Sequence, residues 1–311
     1  MSVLQIATAD MLPQLKKLWQ VCFKDTAAGT DFIFDNLLHT ERILVQTDNA
    51  NWPVAMLCWH LLFFATQKDV FNSAYIFGVG THPEHRGKGL STALLERAEE
   101  ILRERGVRVS CLVPASESLF NFYRQRGYET QFYYKLLRVG AEQMPVAALG
   151  GELAPTSLED FVETRYLGSF ADSSLLGVWD KDYLRYTSEE CRFWGGEVLR
   201  FDGERMANLG YAVCYPDGKG SVLVKEIALQ WGYKEDDSGE LQKEDFDELL
   251  AALHERYKAQ SYQLRLRADF NLANKWATQT LPFAMTKWYY KEDAQTAPTG
   301  GAPWFAFGLD S

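Results

Sequence analysis

FGVGTHPEHRGKGLSTALLERA, residues 77–98, joins an apolar strand to an amphipathic helix through a turn holding His82, Pro83, His85, Arg86, Gly87, Lys88 and Gly89. A helix start leaves its first backbone N–H groups without partners and carries a partial positive charge. Phosphates bind readily at such a place. Gly87 and Gly89 remove the side chains that would keep an anion off the backbone, Arg86 and Lys88 add charge, and Ser91 and Thr92 add hydroxyls in the first helical turn. Residues 87–92 therefore read as a cradle for a diphosphate at a strand–turn–helix junction.

Two familiar phosphate-binding patterns fail here. A P-loop needs Gly-Lys followed by Ser or Thr, whereas Gly87-Lys88 is followed by Gly89. The dinucleotide fingerprint needs a third glycine, and Thr92 stands in its place. The strands before the turn are also joined by short polar connections, which suits an antiparallel sheet better than alternating strands and helices.

The segment resembles motif A of the GNAT N-acetyltransferases, R/Q-x-x-G-x-G/A. It reads Arg86-Gly87-Lys88-Gly89-Leu90-Ser91, with Ser91 where the family has Gly or Ala, inside a wider match that includes Val79, Thr81, Pro83 and Glu84. A second family signature, a tyrosine shortly before Gly-Phe or Gly-Tyr at a helix end, appears in FYRQRGYE as Tyr123, Gly127 and Tyr128. A helix and a strand separate the two signatures, as the family requires. The resemblance covers roughly residues 1–140, and the whole chain looks like a tandem protein of the enhanced-intracellular-survival type without its third domain.

That resemblance implies acetyl-CoA as co-substrate. The strands 75–81 and 108–113 would splay, with Gly80 as the bulge, and the pantetheine arm would pair with backbone at Val79, Gly80 and Thr81. The diphosphate would sit on Arg86, Gly87, Lys88, Gly89, Leu90, Ser91 and Thr92. Ser116 and Phe120 complete the expected cofactor set, Ser116 standing where many relatives carry asparagine. Tyr123 would protonate the departing CoA thiolate or orient its sulfur. The strand AYIFGVGT carries no acid to serve as base. In three-domain relatives the terminal carboxylate reaches the active site, which makes Ser311, or Asp310 beside it, the candidate. Cys111 reads as a packed thiol, and His82 and His85 as exposed turn residues.

Along the chain, TADMLPQLKKLWQVCF has helical apolar spacing with Asp10 as N-cap, and DFIFDNLLH reads as a second helix. RILVQT, WPVAMLCWHLLFFAT and AYIFGVGT read as strands. After the motif helix come the strand VRVSCLV, the helix ESLFNFYRQR and the strand YETQFYYKLLRV, which closes the first unit. The second half repeats this order: helices in 157–170 and 180–191, strands in 196–203, 205–218 and 220–233, a helix in 243–260, a strand in 262–269, a short helix NKWATQT and the strand AMTKWYY. The expected fold is α/β, with tandem GNAT-like domains that are each a mixed, mostly antiparallel sheet with flanking helices. The expected boundaries are a catalytic domain at 1–140, a linker at 141–152, a degenerate second domain at 153–295 and a tail at 296–311.

In the second half, GYKEDDSGELQKED replaces the glycine–cation turn, and Glu235, Asp236, Asp237 and Glu240 would repel a diphosphate. Glu226 reads as an acidic acceptor contact or a ladder residue facing solvent. The formal net charge of −10 argues against nucleic acid or an anionic membrane as partner and favours a cationic acceptor, a small-molecule amine or a lysine side chain. No apolar run is long enough to span a membrane. The five cysteines form no C-x-x-C pair, so neither a metal site nor a disulfide framework is expected, and a reducing cytoplasmic setting is. Self-association is compatible with the sequence. The leading reading is an acetyl-CoA-dependent N-acetyltransferase; the rival is a non-catalytic acyl-CoA sensor or scaffold that keeps the cradle without turnover.

Overall fold

The computed structural model describes residues 3–66, 68–145, 150–170, 175–204, 207–229, 240–268, 270 and 276–296. By internal contacts the described residues divide into two units, the first taking those of 3–131 and 284–296 and the second those of 132–283.

The first unit runs β1 (Leu4–Ile6), α1 (Leu12–Phe23), α2 (Ala27–Asn36), β2 (Ile43–Thr47), β3 (Pro53–Ala65), β4 (Val70–Thr81), α3 (Leu90–Glu104), β5 (Val109–Leu112) and α4 (Glu117–Arg124). β1 to β4 pair antiparallel in sequence order, and β4 pairs parallel with β5. Asp10 does not cap α1. It sits in a 3-10 turn, Ala9–Met11, and Met11 takes the cap position without a side-chain bond. α2 begins earlier than its apolar run suggests, because the Thr26 hydroxyl accepts from Gly29 N at 3.0 Å and caps it.

α3 buries Leu94, Leu95, Ala98, Ile101 and Leu102, one stripe at helical spacing, against Leu57, Trp59, Ala74 and Ile76 of the sheet. Gly106, at φ +75°, ends it: Gly106 N bonds Arg103 O at 3.0 Å and Val107 N bonds Leu102 O at 2.9 Å.

The second unit begins inside β6 (Glu129–Gly140) and continues through β7 (Glu152–Pro155), α5 (Leu158–Phe170), β8 (Leu176–Val178), α6 (Lys181–Phe193), β9 (Glu197–Asp202), β10 (Gly210–Pro216), β11 (Ser221–Leu229), α7 (Glu240–Tyr257) and β12 (Ser261–Arg267), into β13 (Thr278–Trp288). β7, β9, β10 and β11 pair antiparallel in that order, and β11 pairs parallel with β12. This is the pattern of the first unit, so the repeat expected from element order is present in the strand pairing.

The closing strands are exchanged relative to the sequence reading. Residues 134–140 pair antiparallel with β12 in the second unit, while residues 285–288 pair antiparallel with β5 in the first. A boundary at residue 140 therefore differs from the observed division. The sequence cannot signal this, because both strands are apolar and suit either position. Two further expectations change. Residues 152–155, partly assigned to the linker, form β7. The expected helix over 274–280 is already strand from Thr278.

Candidate active site

β4 and β5 pair at Ser73–Val109, Ala74–Ser110 and Tyr75–Cys111, and the recorded pairing goes no further although β4 runs on to Thr81. The two strands thus part beyond Tyr75, as expected. The bulge that bends β4 is not at Gly80. Phe77 faces Cys58 and Gly80 faces Met56, so Gly78 and Val79 together oppose Leu57, and Gly78 takes φ +59°. Gly80 has another role, since a Cβ there would lie 3.0 Å from Cys22 Cβ and Phe23 Cζ. Its missing side chain lets α1 lie directly on the strand. Gly78 does the same for Trp19, whose ring would lie 2.7 Å from a Cβ.

Beyond β4 a 3-10 turn, Pro83–His85, leads into the glycines. Gly87 and Gly89 have φ of +75° and +76°, and a Cβ on either would meet nothing within 4 Å. Glycine is required here by backbone conformation, and the space around it is open. Gly89 is the N-cap of α3, and Ala93 N closes the first helical bond to Gly89 O at 3.1 Å. The amides of the first turn therefore face outward, as a diphosphate cradle demands.

The side chains around the cradle are held. Arg86 donates from Nε to Thr81 O at 3.2 Å, which bends it back over the end of β4. There it pulls against the burial that pushes the Cys22 thiol up to about 11. The hydroxyls of Thr81 and Ser91 lie 3.0 Å apart. Thr92 accepts from Arg126 Nε at 3.1 Å and Nη2 at 2.6 Å. With its oxygen so engaged, the hydroxyl proton of Thr92 is directed outward as a donor.

Val79, Leu90 and Phe120 pack against the apolar cluster that contains Tyr123. Ser116 is a surface residue. It is exposed at the N-cap of α4, and its hydroxyl is 3.0 Å from that of Ser118. α4 ends at Gly127, φ +84°, where Tyr128 N bonds Tyr123 O at 3.2 Å. Tyr123 is 7% exposed. Burial pushes its phenol up to about 12, with Arg126 pulling the other way. Tyr128 is fully enclosed and bonds Ser110 Oγ at 2.9 Å. Cys111 is buried and its thiol is pushed well up by burial, as a packed residue.

Arg126 is the site residue that the sequence reading missed. It donates from Nη1 to Phe122 O at 2.6 Å and stacks on the Phe122 ring at 3.5 Å while gripping Thr92. The signal was present as the second cation of FYRQRGY, four residues beyond the aromatic on which it stacks. Ser311 and Asp310, the expected bases, lie outside the described residues, and so does the acidic segment 230–239.

Residues 4–131 match the family described as acetyltransferase (GNAT) domain. These residues are a GNAT acetyltransferase domain. The match ends where the first unit leaves the continuous chain, at residue 131. The sequence matches none of the curated proteins. Solved structures share the fold over nearly the whole chain. A probable N-acyltransferase from Enterococcus faecalis is 15% identical at TM-score 0.70, with 93% of this chain and 73% of that one covered. Eis1 from Mycobacterium abscessus is 13% identical at TM-score 0.69, covering 96% and 76%. N-myristoyltransferase from Saccharomyces cerevisiae, with bound myristoyl-CoA, is 9% identical at TM-score 0.62, covering 92% and 78%. The GNAT domain is thus followed by a second unit within a fold shared by these larger proteins.

In that second unit, β11 carries the matching irregularity. Val213 faces Glu226 and Cys214 faces Val224, leaving Lys225 as the extra residue. Glu226 is a ladder residue, paired with Val213, but it faces neither solvent nor an open acceptor site. It is 2% exposed, accepts from Arg165 Nε of α5 at 2.9 Å and from Tyr211 Oη at 2.5 Å. Desolvation acts to lower Arg165, but the adjacent Glu226 outweighs it and holds the guanidinium above its ordinary value. This buried ion pair joins α5 to β11. No helix of the described residues is long and apolar enough to cross a membrane, and none of their His, Cys, Asp and Glu groups could hold a metal ion.

Proposed function

We propose that the GNAT domain transfers an acetyl group from acetyl-CoA directly to a primary amine, on a small molecule or a lysine side chain. The observation that carries this is the conjunction of parted β4 and β5 strands with the open, positive-φ glycine turn at the start of α3. The diphosphate rests on residues 86–92, and the pantetheine arm follows Val79, Gly80 and Thr81 past Phe120, with Ser116 at the outer rim. The amine attacks the thioester carbonyl, the tetrahedral adduct collapses, the carbon–sulfur bond breaks and the CoA thiolate leaves.

Tyr123 stands beside that sulfur. With its phenol near 12 against ~8.5 for an ordinary thiol, full proton transfer would run uphill by roughly 3 to 4 units, or about 5 kcal/mol. Tyr123 is therefore better suited to hydrogen-bonding the developing thiolate and orienting the sulfur than to complete protonation before departure. The terminal carboxylate of Ser311 is the proposed base for the incoming amine. The five cysteines are all free thiols, which fits a reducing cytoplasm. The second unit takes a structural role, because the acidic segment GYKEDDSGELQKED stands where the first unit has its glycine–cation turn.

The test is release of CoA thiol with a panel of polyamines, aminoglycosides and lysine peptides. Amine-dependent thiol release with an acetylated product is the expected result. Tight CoA binding with no turnover on any amine would favour the sensor reading instead.

A further inference from the structure

We propose that the cavity between α1 and the turn ahead of the glycines is a second ligand site, built for a small organic ammonium ion with an apolar body. Its effect on the coenzyme rests on the reading of residues 86–92 as a diphosphate cradle; the site itself does not. The cavity measures about 300 Å³, within the range of small-molecule sites. Leu18 of α1 and Val54 of β3 are its buried floor, and Lys17, Asp48, Trp52 and Glu84 stand around it.

The cavity lies on the face of the sheet away from Tyr123. Ala55 and Leu57 belong to the apolar cluster that contains Tyr123. Side chains alternate along a strand, so Val54 points to the opposite face. The walls are held in place without a ligand. His82 N bonds Val54 O at 2.8 Å and ties the turn to β3, and Asp48 N bonds Trp52 O at 2.9 Å and closes the β2–β3 connection. Such a site binds at little ordering cost.

Three features select a cation. Trp52 is 48% exposed, and its indole has no ring or hydrogen-bond partner among the described residues. A free aromatic face attracts an organic cation through its quadrupole. Asp48 Oδ1 accepts from Ala50 N and Trp52 N, both at 2.9 Å, which fixes the carboxylate beside the indole and leaves Oδ2 for a ligand. The Glu84 carboxylate has no partner among the described residues, and Lys17 pairs with neither acid. Two carboxylates thus face one ammonium. His82 Nδ1 accepts from Glu84 N at 3.4 Å, the role of a neutral ring.

The site has a consequence for the cradle. Glu84 stands two residues before Arg86, so its carboxylate repels a diphosphate bound there. An ammonium ion on Glu84 cancels that repulsion. Ion and coenzyme should each tighten the binding of the other, by the same factor.

The experiment is calorimetry on the full chain at pH 8. Phenethylamine is the probe, 2-phenylethanol is its uncharged counterpart, and free CoA is the coenzyme, because it cannot acetylate the probe. The amine should bind at roughly 0.1–1 mM, and the alcohol at least about tenfold more weakly. Trp52→Ala and Asp48→Asn should each weaken the amine about three- to tenfold; asparagine keeps the oxygen that accepts from the turn, so this variant preserves the fold. With the probe saturating at low salt, CoA should bind about two- to fivefold more tightly, and the gain should shrink in about 0.5 M NaCl. Glu84→Gln should show that tighter CoA binding without the probe and gain nothing further from it. Amine binding that both Trp52→Ala and Asp48→Asn leave intact would overturn the proposal, because the amine would then sit elsewhere. Equal binding of amine and alcohol, or no heat from the amine at about 10 mM, would overturn it too. CoA affinity indifferent to both the probe and Glu84→Gln would overturn the coupling. Failure of CoA to bind at all removes the cradle, while the amine titrations still decide the ammonium site.

Discussion

Gly89→Ala separates the cradle's function from its stability. Gly89 has φ +76°, and an added methyl would meet no protein atom within 4 Å, so the folded chain suffers backbone strain and no clash. A non-glycine residue in the left-handed region costs about 1–2 kcal/mol. At roughly 2–4 °C per kcal/mol for a unit of this size, the melting temperature should fall by about 2–8 °C. The methyl projects into the open space where the diphosphate is proposed to lie. Displacing one or two hydrogen bonds to a charged phosphate, at roughly 1.5–3 kcal/mol, should raise KM for acetyl-CoA about 10- to 100-fold. kcat at saturation should hold within about threefold, because the groups that touch the thioester are undisturbed. Gly106→Ala is the control. It shares the same strain at φ +75°, with Asn72 Nδ2 at 3.9 Å as nearest neighbour, and it ends the helix whose other end carries the cradle. It should lower the melting temperature to a similar degree and leave KM alone. Steady-state kinetics with varied acetyl-CoA, paired with thermal unfolding, gives both quantities. Equal KM for Gly89→Ala and wild type, with the expected loss of melting temperature, would refute the placement of the diphosphate.

Tyr123→Phe should lower kcat by roughly 100-fold with KM for acetyl-CoA nearly unchanged, since the phenol acts on the departing sulfur; an unchanged kcat would remove it from the mechanism. Stability should fall as pH rises from 10 toward 12. The folded phenol of Tyr123 ionises near 12 and the unfolded one near ~10, so the folded state holds the proton longer and its advantage is lost across that window. Tyr123→Phe should flatten the urea midpoint over that range by up to about 1.4 kcal/mol per pH unit, and identical slopes would contradict the buried setting of the phenol. In the second unit, Glu226→Gln should destabilise by about 3–5 kcal/mol in urea unfolding, because it leaves the Arg165 charge enclosed without its counter-ion. A loss under about 1 kcal/mol would mean that the pair is hydrated.

The parts of the site that follow from local chemistry are legible in the sequence. Gly87 and Gly89 mark the open turn, though as room for an anion and not as the positive φ that the structure shows, Gly106 and Gly127 announce helix ends, and the stripe from Leu94 to Leu102 announces a buried helix face. What depends on distant partners is not legible. Gly80 looks like a bulge because it is a glycine near a strand end, yet it is needed for contact with Cys22 and Phe23, and Gly78 is where the strand bends. Glu226 looks like a surface carboxylate until Arg165, 61 residues earlier, closes on it. Arg126 drew no reading from the sequence, because nothing local to it shows that Thr92, 34 residues earlier, accepts from its guanidinium. The exchange of closing strands was beyond reach for the same reason, since an apolar strand does not name its neighbour.

That exchange bears on how the molecule is made. A ribosome delivers the chain from one end, and most tandem proteins let the leading module consolidate while the next is still being assembled. Here the sheet of the first unit awaits residues 285–288, which are synthesised after all the strands from β6 to β12. The nascent first unit must hold that edge of β5 without its strand neighbour until then.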